Sequence, residues 1–216
     1  MPRAFDGPQL CLVIETTGAA ADDALTAALG AASVASVLFT ASAGGKVEPA
    51  IVTRLVAAVQ DQGVAALVEA DARLARTLKA DGVHLPWSKS PLPVYAEARE
   101  ILGARAVVGA DAGSSRHDAM QLGEAGADYI GFGIPRHVED RVAAAARRLE
   151  LVAWWSEIFE VPVVAFDVES AAEAAALATA GVDFIAAHLP MGVPSAEVQG
   201  WVREMAAALG SGARAA

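Results

Sequence analysis

Cysteine occurs once in 216 residues. Cys11 therefore has no intrachain partner, a disulfide framework is excluded, and a thiol set in an apolar run reads as a buried structural group. Basic residues are also scarce: 16 Lys and Arg against 26 Asp and Glu give a formal net charge of −10 and a pI near 4.8. That balance opposes sequence-independent binding to phosphate backbones, so nucleic acid is not expected as a partner. Long apolar runs are missing. The most apolar stretches, 11–14 and 161–166, stop within a few residues, whereas a membrane-spanning helix needs about twenty. Residues 1–9 lack the basic, apolar and cleavage segments of a secretory leader, which leaves the cytoplasm as the expected compartment. There is no Gly-x-Gly-x-x-Gly after a strand and no P-loop, so nucleotide cofactors have no support. No short His-x-x-x-His or Cys-x-x-Cys spacing supports zinc.

What the chain has in abundance is alanine and repetition. The hydrophobic fraction is 55% and mean hydropathy +0.40, much of it from Ala in helix-forming stretches. Between those stretches recur short β-branched or aromatic runs, at 10–15, 34–40, 65–69, 82–85, 106–110, 129–133, 161–166 and 184–188. Helices are expected at about 22–32, 47–62, 71–80, 94–103, 116–126, 138–158, 170–180 and 195–209. Eight continuously apolar strands alternating with helices predict one α/β domain, a (β/α)8 TIM barrel of eight parallel strands with its core at about 10–209. The tail 210–216 is expected to fray.

Three helix-to-strand junctions repeat one pattern: KADGVH from Lys79, AGADYI from Ala125 and AGVDFI from Ala180. Gly126 and Gly181 suit a left-handed helix end, and Asp81, Asp128 and Asp183 then sit at strand starts as structural acids. Ser170 with Glu173 has capping-box spacing, and Ser195 precedes the last helix. Turn chemistry at 43–45, 86–93 and 113–115 places these loops after strands, at the catalytic face.

A barrel's working groups come from strand ends and the loops that follow them. Read in order, these are Glu15, Thr40 with Ser42, Glu69 and Asp71, His84 and Lys89, Asp111 with Arg116 and His117, Gly133 with Arg136 and His137, Asp167 with Glu169, and His188. His117, His188, Asp111 and Glu69 are the candidates for catalysis; Glu15, Thr40, His84, Lys89, Gly133, Arg136, His137 and Asp167 are the candidates for holding a small-molecule ligand in the barrel mouth. The plainer alternatives are a hydrogen-bonded core role for His84 and a helix start for His117. Glu15, Glu69 and Asp167 gathered in one mouth would need a cation or a shared proton, but no metal-ligand signature accompanies them. A homodimer is expected on general grounds alone.

The stretch LARTLKADGVHL from Leu74 to Leu85, followed about forty residues later by EAGADYIGFG from Glu124 to Gly133, resembles thiamine phosphate synthase and its thiazole tautomerase relatives. Supporting echoes lie at 98–103 and 161–165, so the resemblance covers about 64–188. It implies a barrel that condenses a pyrimidine methyl diphosphate with a thiazole phosphate, with magnesium neutralising the leaving diphosphate. It also implies Asn-Asp-Arg after strand three, where this chain reads Glu69-Ala70-Asp71, and Gly-Gln-x-Asp after strand four, where it reads Pro86-Trp87-Ser88-Lys89. Both magnesium carboxylates of the family pattern are thus replaced, and a Gly-Gly after strand seven is replaced by Asp167-Val168. The tautomerase relatives need only a histidine in the fifth loop, near His117. Three functions follow as alternatives: a divergent synthase; a ligand-binding or regulatory barrel; and a lyase or isomerase using Glu15, Asp111, His117 and Asp167.

Overall fold

A computed structural model describes residues 7–16, 20–41, 49–135 and 138–212. The strands are β1 (Gln9–Glu15), β2 (Ser36–Thr40), β3 (Ala65–Glu69), β4 (Gly82–Leu85), β5 (Val107–Asp111), β6 (Ile130–Phe132), β7 (Val163–Ala165) and β8 (Phe184–His188). The helices are α1 (Ala20–Leu29), α2 (Pro49–Gln60), α3 (Ala72–Leu78), α4 (Pro91–Leu102), α5 (Arg116–Glu124), α6 (Arg141–Ile158), α7 (Ala171–Thr179) and α8 (Ser195–Gly212). All strands pair in parallel with their sequence neighbours, and β8 closes on β1 to make the expected (β/α)8 barrel. Among the described residues no helix is long and apolar enough to cross a membrane.

Alternate strand positions face opposite ways. Leu12, Ile14, Val37, Phe39, Val68, Val108 and Phe132 point outward, and the helices cover them completely. The inward set, Cys11, Val13, Leu38, Leu67, Tyr129, Val164, Phe166 and Ala186, forms a separate cluster. Glycine makes room for its rings: a Cβ at Gly109 would fall 1.9 Å from the Tyr129 ring, and one at Gly131 3.0 Å from Phe166.

The repeated junctions behave as their sequence implies. Gly126 and Gly181 have φ of 91° and 89°, and Lys79 holds the matching left-handed place at 56° without glycine. Each following aspartate accepts the N–H that opens the preceding strand's ladder: Asp81 from Ala66 at 2.7 Å, Asp128 from Val108 at 2.7 Å and Asp183 from Val163 at 2.9 Å. Arg99 in α4 fastens the middle junction. Its Nε donates to Tyr95, Nη1 to the carbonyls of Gly103 and Ala106, and Nη2 to the Gly126 carbonyl and Asp128.

Several boundaries differ from expectation for physical reasons. α4 begins at Pro91 rather than 94, because proline at the first helical position costs no hydrogen bond. β7 is three residues long rather than six. The Val161 carbonyl accepts the Trp155 indole N–H instead of joining the ladder, and Pro162 has no N–H to donate. α8 starts at Ser195 itself and continues to Gly212, so 210–212 are helical where a frayed tail was expected. The remainder of that tail and the 43–45 loop lie outside the described residues.

Candidate functional site

Five of the expected residues meet at the C-terminal end of the barrel. Glu69, His84, Asp111, Asp167 and His188 line a cavity of about 230 Å3 with an apolar floor of Val13, Leu38 and Phe166 and with Trp87, Ile134 and Pro135 at its edge. A second cleft of about 470 Å3 adjoins it between Ile134, Arg141, Asp167, Glu169, His188 and Trp201.

Asp111 ends β5 and is 8% exposed. Its Oδ1 accepts the N–H of Gly113 at 2.6 Å and of Gly133 at 3.2 Å. Burial still wins over those two bonds and pushes the carboxyl up to about 6, with the neighbouring charge of Asp167 adding to the rise. Asp167 follows β7 with φ of 57°, a left-handed conformation that a non-glycine residue holds only when its surroundings fix it. Burial would raise its carboxyl as well. Here the hydrogen bonds from His188 and the Ile134 N–H, with the charges of His188 and Arg148, outweigh burial and hold it below the usual carboxylate range. The Ile134 N–H lies 2.8 Å from Asp167 Oδ2, and His188 Nε2 lies 3.5 Å from Oδ1. Gly133 sits between the two acids: a Cβ there would be 2.5 Å from Asp111 Oδ2 and 3.1 Å from Asp167 Oδ2. Glycine is thus the residue that lets both carboxylates face one space.

His84 occupies the floor, buried, with Nδ1 2.9 Å from the Tyr129 hydroxyl and its ring stacked 4.1 Å from Phe166. Burial takes its pKa down to about 3, partly opposed by Asp167, so the ring is neutral across the physiological range. It therefore has the hydrogen-bonded core character weighed for it as well as a face on the cavity.

Thr40 and Glu15 pair in register at the ends of β2 and β1. The Thr40 hydroxyl donates to the Ile14 carbonyl at 3.4 Å and is buried, so it ties the sheet rim and lines no part of the mouth cavity. Lys89 is exposed and stands apart from that cavity. His117 is also apart: Ser115 caps α5, His117 is exposed on the first turn, and Arg116 beside it stacks over Trp154 at 4.6 Å. The helix start expected as its plainer alternative is what the geometry gives. Arg136, His137 and Ser42 lie outside the described residues.

The residue that sequence reading missed is Arg148. It is 2% exposed inside α6, and it donates to the Phe166 carbonyl and to Glu173. Glu173 in turn accepts the Glu169 N–H at 3.0 Å, and Ser170 caps its helix. This buried cation locks the backbone on which Asp167 is bent. The capping-box spacing marked one end of the network. Nothing in the sequence separates Arg148 from its exposed neighbour Arg147 except helical phase.

Ala70, at the position where the resemblance expects a magnesium carboxylate, has φ of 62° in a tight turn in which the Asp71 N–H donates to the Glu69 carbonyl at 2.7 Å. The Asp71 side chain caps α3 through the Leu74 N–H.

A family model described as thiamine monophosphate synthase matches residues 11–189. A thiamine-phosphate synthase from Hyphomonas neptunium is 42% identical over 130 residues, 60% of this chain and 58% of that protein. The namesake from Erythrobacter litoralis is 42% identical over 150 residues, 67% and 68% of the two chains. A solved thiamine phosphate pyrophosphorylase from Pyrococcus furiosus shares the fold, with a TM-score of 0.72 at 21% identity over 94% of this chain and 95% of that one. The match to the Hyphomonas relative thus covers less than two thirds of that protein, while the residues matched by the family model include every residue that lines the mouth cavity. By sequence, this chain belongs to the thiamine monophosphate synthase family.

Proposed function

We propose that this family member is a divergent one, in which the barrel mouth performs metal-independent proton transfer on a single small ring-sized molecule in place of the diphosphate-displacing condensation. The observation that carries this reading is the Asp111 and Asp167 pair. Two carboxyls face one space over Gly133, and their surroundings push them in opposite directions, one up to about 6 and the other down. Such divergence divides acid and base roles between like groups. Asp167, oriented by the Ile134 N–H and His188, takes a proton from one ring atom; Asp111, held by two amides, gives one to another. No atom other than hydrogen moves.

Two further points support it. The cavity is smaller than the roughly 300–1,000 Å3 typical of larger ligands, and among its described lining residues there is no Lys or Arg to meet a polyanion. The magnesium that the family resemblance implies does not fit the side chains present. Ala70 and exposed Lys89 stand where its carboxylates are expected, Asp71 is committed to a helix cap, and among the described residues no three or more metal-binding side chains converge.

The test uses small nitrogen heterocycles, the unphosphorylated thiazole included, incubated with the protein in deuterium oxide and followed by proton NMR. Exchange at ring-adjacent positions that is lost in Asp167→Asn is the expected result. Magnesium-dependent formation of thiamine phosphate from the two phosphorylated precursors would overturn the reading. A ligand-binding barrel without turnover is the second reading, favoured by the long 3.5 Å separation of His188 and Asp167. It is marked by thermal stabilisation without exchange.

A further inference from the structure

A second cavity lies at the opposite end of the barrel interior, where the strands begin. Its volume is about 440 Å3, larger than the mouth cavity. Its walls are inward side chains, among them Cys11, Leu67, Tyr129, Phe166 and Ala186. Phe166 and Leu38 line both cavities, and the stacked His84 and Phe166 rings form the partition.

Barrel interiors are ordinarily filled by layers of branched side chains, because an unfilled apolar space loses the dispersion contacts of every atom around it. Here the inward positions that line the space carry Ala65 and Ala186, while three further inward positions are glycines whose room is already taken, Gly82's by Val107 and those of Gly109 and Gly131 by the Tyr129 and Phe166 rings. No charged residue lines the space among the described residues. Its deeper polar groups are already satisfied: the Tyr129 hydroxyl pairs with His84, and the Cys11 thiol hydrogen-bonds to Ser36. An occupant needs to supply area and no hydrogen bond.

We propose that this lower cavity is a binding site for a neutral, apolar molecule of about the size of one or two fused rings, separate from the mouth and independent of its chemistry.

The experiment titrates the full chain with toluene and with indole by scanning fluorimetry and calorimetry, and follows modification of Cys11, the sole cysteine, by methyl methanethiosulfonate at pH 9. Saturable binding is expected to raise Tm by roughly 3 °C at a tenfold excess over Kd and to slow thiol modification. Both effects disappear in Ala186→Leu, whose added carbons occupy the space, while its own Tm is no lower than that of the parent. Should that variant fail to fold, Ala65→Met at the partly exposed cavity edge takes its place with the same readings. The absence of a saturable shift with either probe overturns the proposal. So does a shift that persists in the filled variant and leaves Cys11 unprotected, since the probe then binds elsewhere.

Discussion

Five aspartates mark the two ends of this barrel, and the ends use the same side chain in opposite ways. At the strand starts, Asp81, Asp128 and Asp183 each accept one ladder N–H from a partly or fully solvated position. At the mouth, Asp111 and Asp167 also accept backbone N–H groups, but they are drawn into a shared, mostly desolvated space where one is pushed up and the other held down. The difference teaches that hydrogen-bonding pattern alone does not set how tightly a carboxyl holds its proton. What decides it is burial together with the charge that stands nearby, a second carboxylate for Asp111 and the His188 and Arg148 side chains for Asp167.

The contrast breaks most severely at Arg148, on which the mouth depends and the lower end does not. Arg148→Met is expected to cost roughly 3–5 kcal/mol in urea denaturation, because it leaves Glu173 and the Phe166 carbonyl without their buried partner. A loss below about 1 kcal/mol would mean that the bend at Asp167 is held by something else.

Next comes pH. Asp111 binds its proton more tightly folded, at about 6, than its ordinary 3.8, so ionising it above pH 6 costs stability, on the order of 3 kcal/mol, recovered as pH falls toward 3.8. His84 runs the other way. Its folded value near 3 lies below the ordinary 6.5, so its contribution is present above pH 6.5 and is lost as pH falls. Between about pH 4 and 6 the two slopes cancel. Asp111→Asn keeps an oxygen for Gly113 and Gly133, removes the charge, and should gain stability at pH 8 while exposing an uncompensated fall of about 1.4 kcal/mol per pH unit below pH 6. Chemical denaturation at stepped pH reads both; a flat profile in the variant would show that the two groups are not the pair in balance.

At the lower end, Asp128→Ala is expected to cost about 2 kcal/mol and Asp81→Ala about 1 kcal/mol, since besides the ladder N–H the former loses the charged Arg99 and the latter the neutral Gln60 amide. Ligand binding at the mouth should be unchanged in both, measured under conditions where each variant is folded. The smallest effect belongs to Asp167→Asn. Asparagine tolerates positive φ and keeps an acceptor for Ile134, so stability should move by less than about 1 kcal/mol while proton exchange is lost.

The strands at 65–69, 82–85 and 184–188 were legible to the residue because Gly, Asp and helix ends bracket short apolar runs. Asp111, Asp167 and His188 were legible as strand-end polar residues for the same reason. Arg148 and the partition rings were not. A parallel strand is apolar on both faces, so its sequence does not say that Tyr129 and Phe166 point inward or that Gly109 and Gly131 yield space to them. That His117 stands apart from the mouth cavity was not legible either, because the fifth loop is short. Ser115 starts the helix at once and turns the imidazole outward.

Arg99 has a consequence for how such a barrel changes. A guanidinium carries five N–H donors, and here Tyr95, Gly103, Ala106, Gly126 and Asp128 take one apiece. Two separate connections, α4 to β5 and α5 to β6, are clasped to α4 by a single planar group, which lysine, with three rotating donors, cannot imitate. Rigidity at the base is thereby supplied from outside the ring of mouth loops, leaving those loops free to exchange one chemistry for another while the foundation stays as it was.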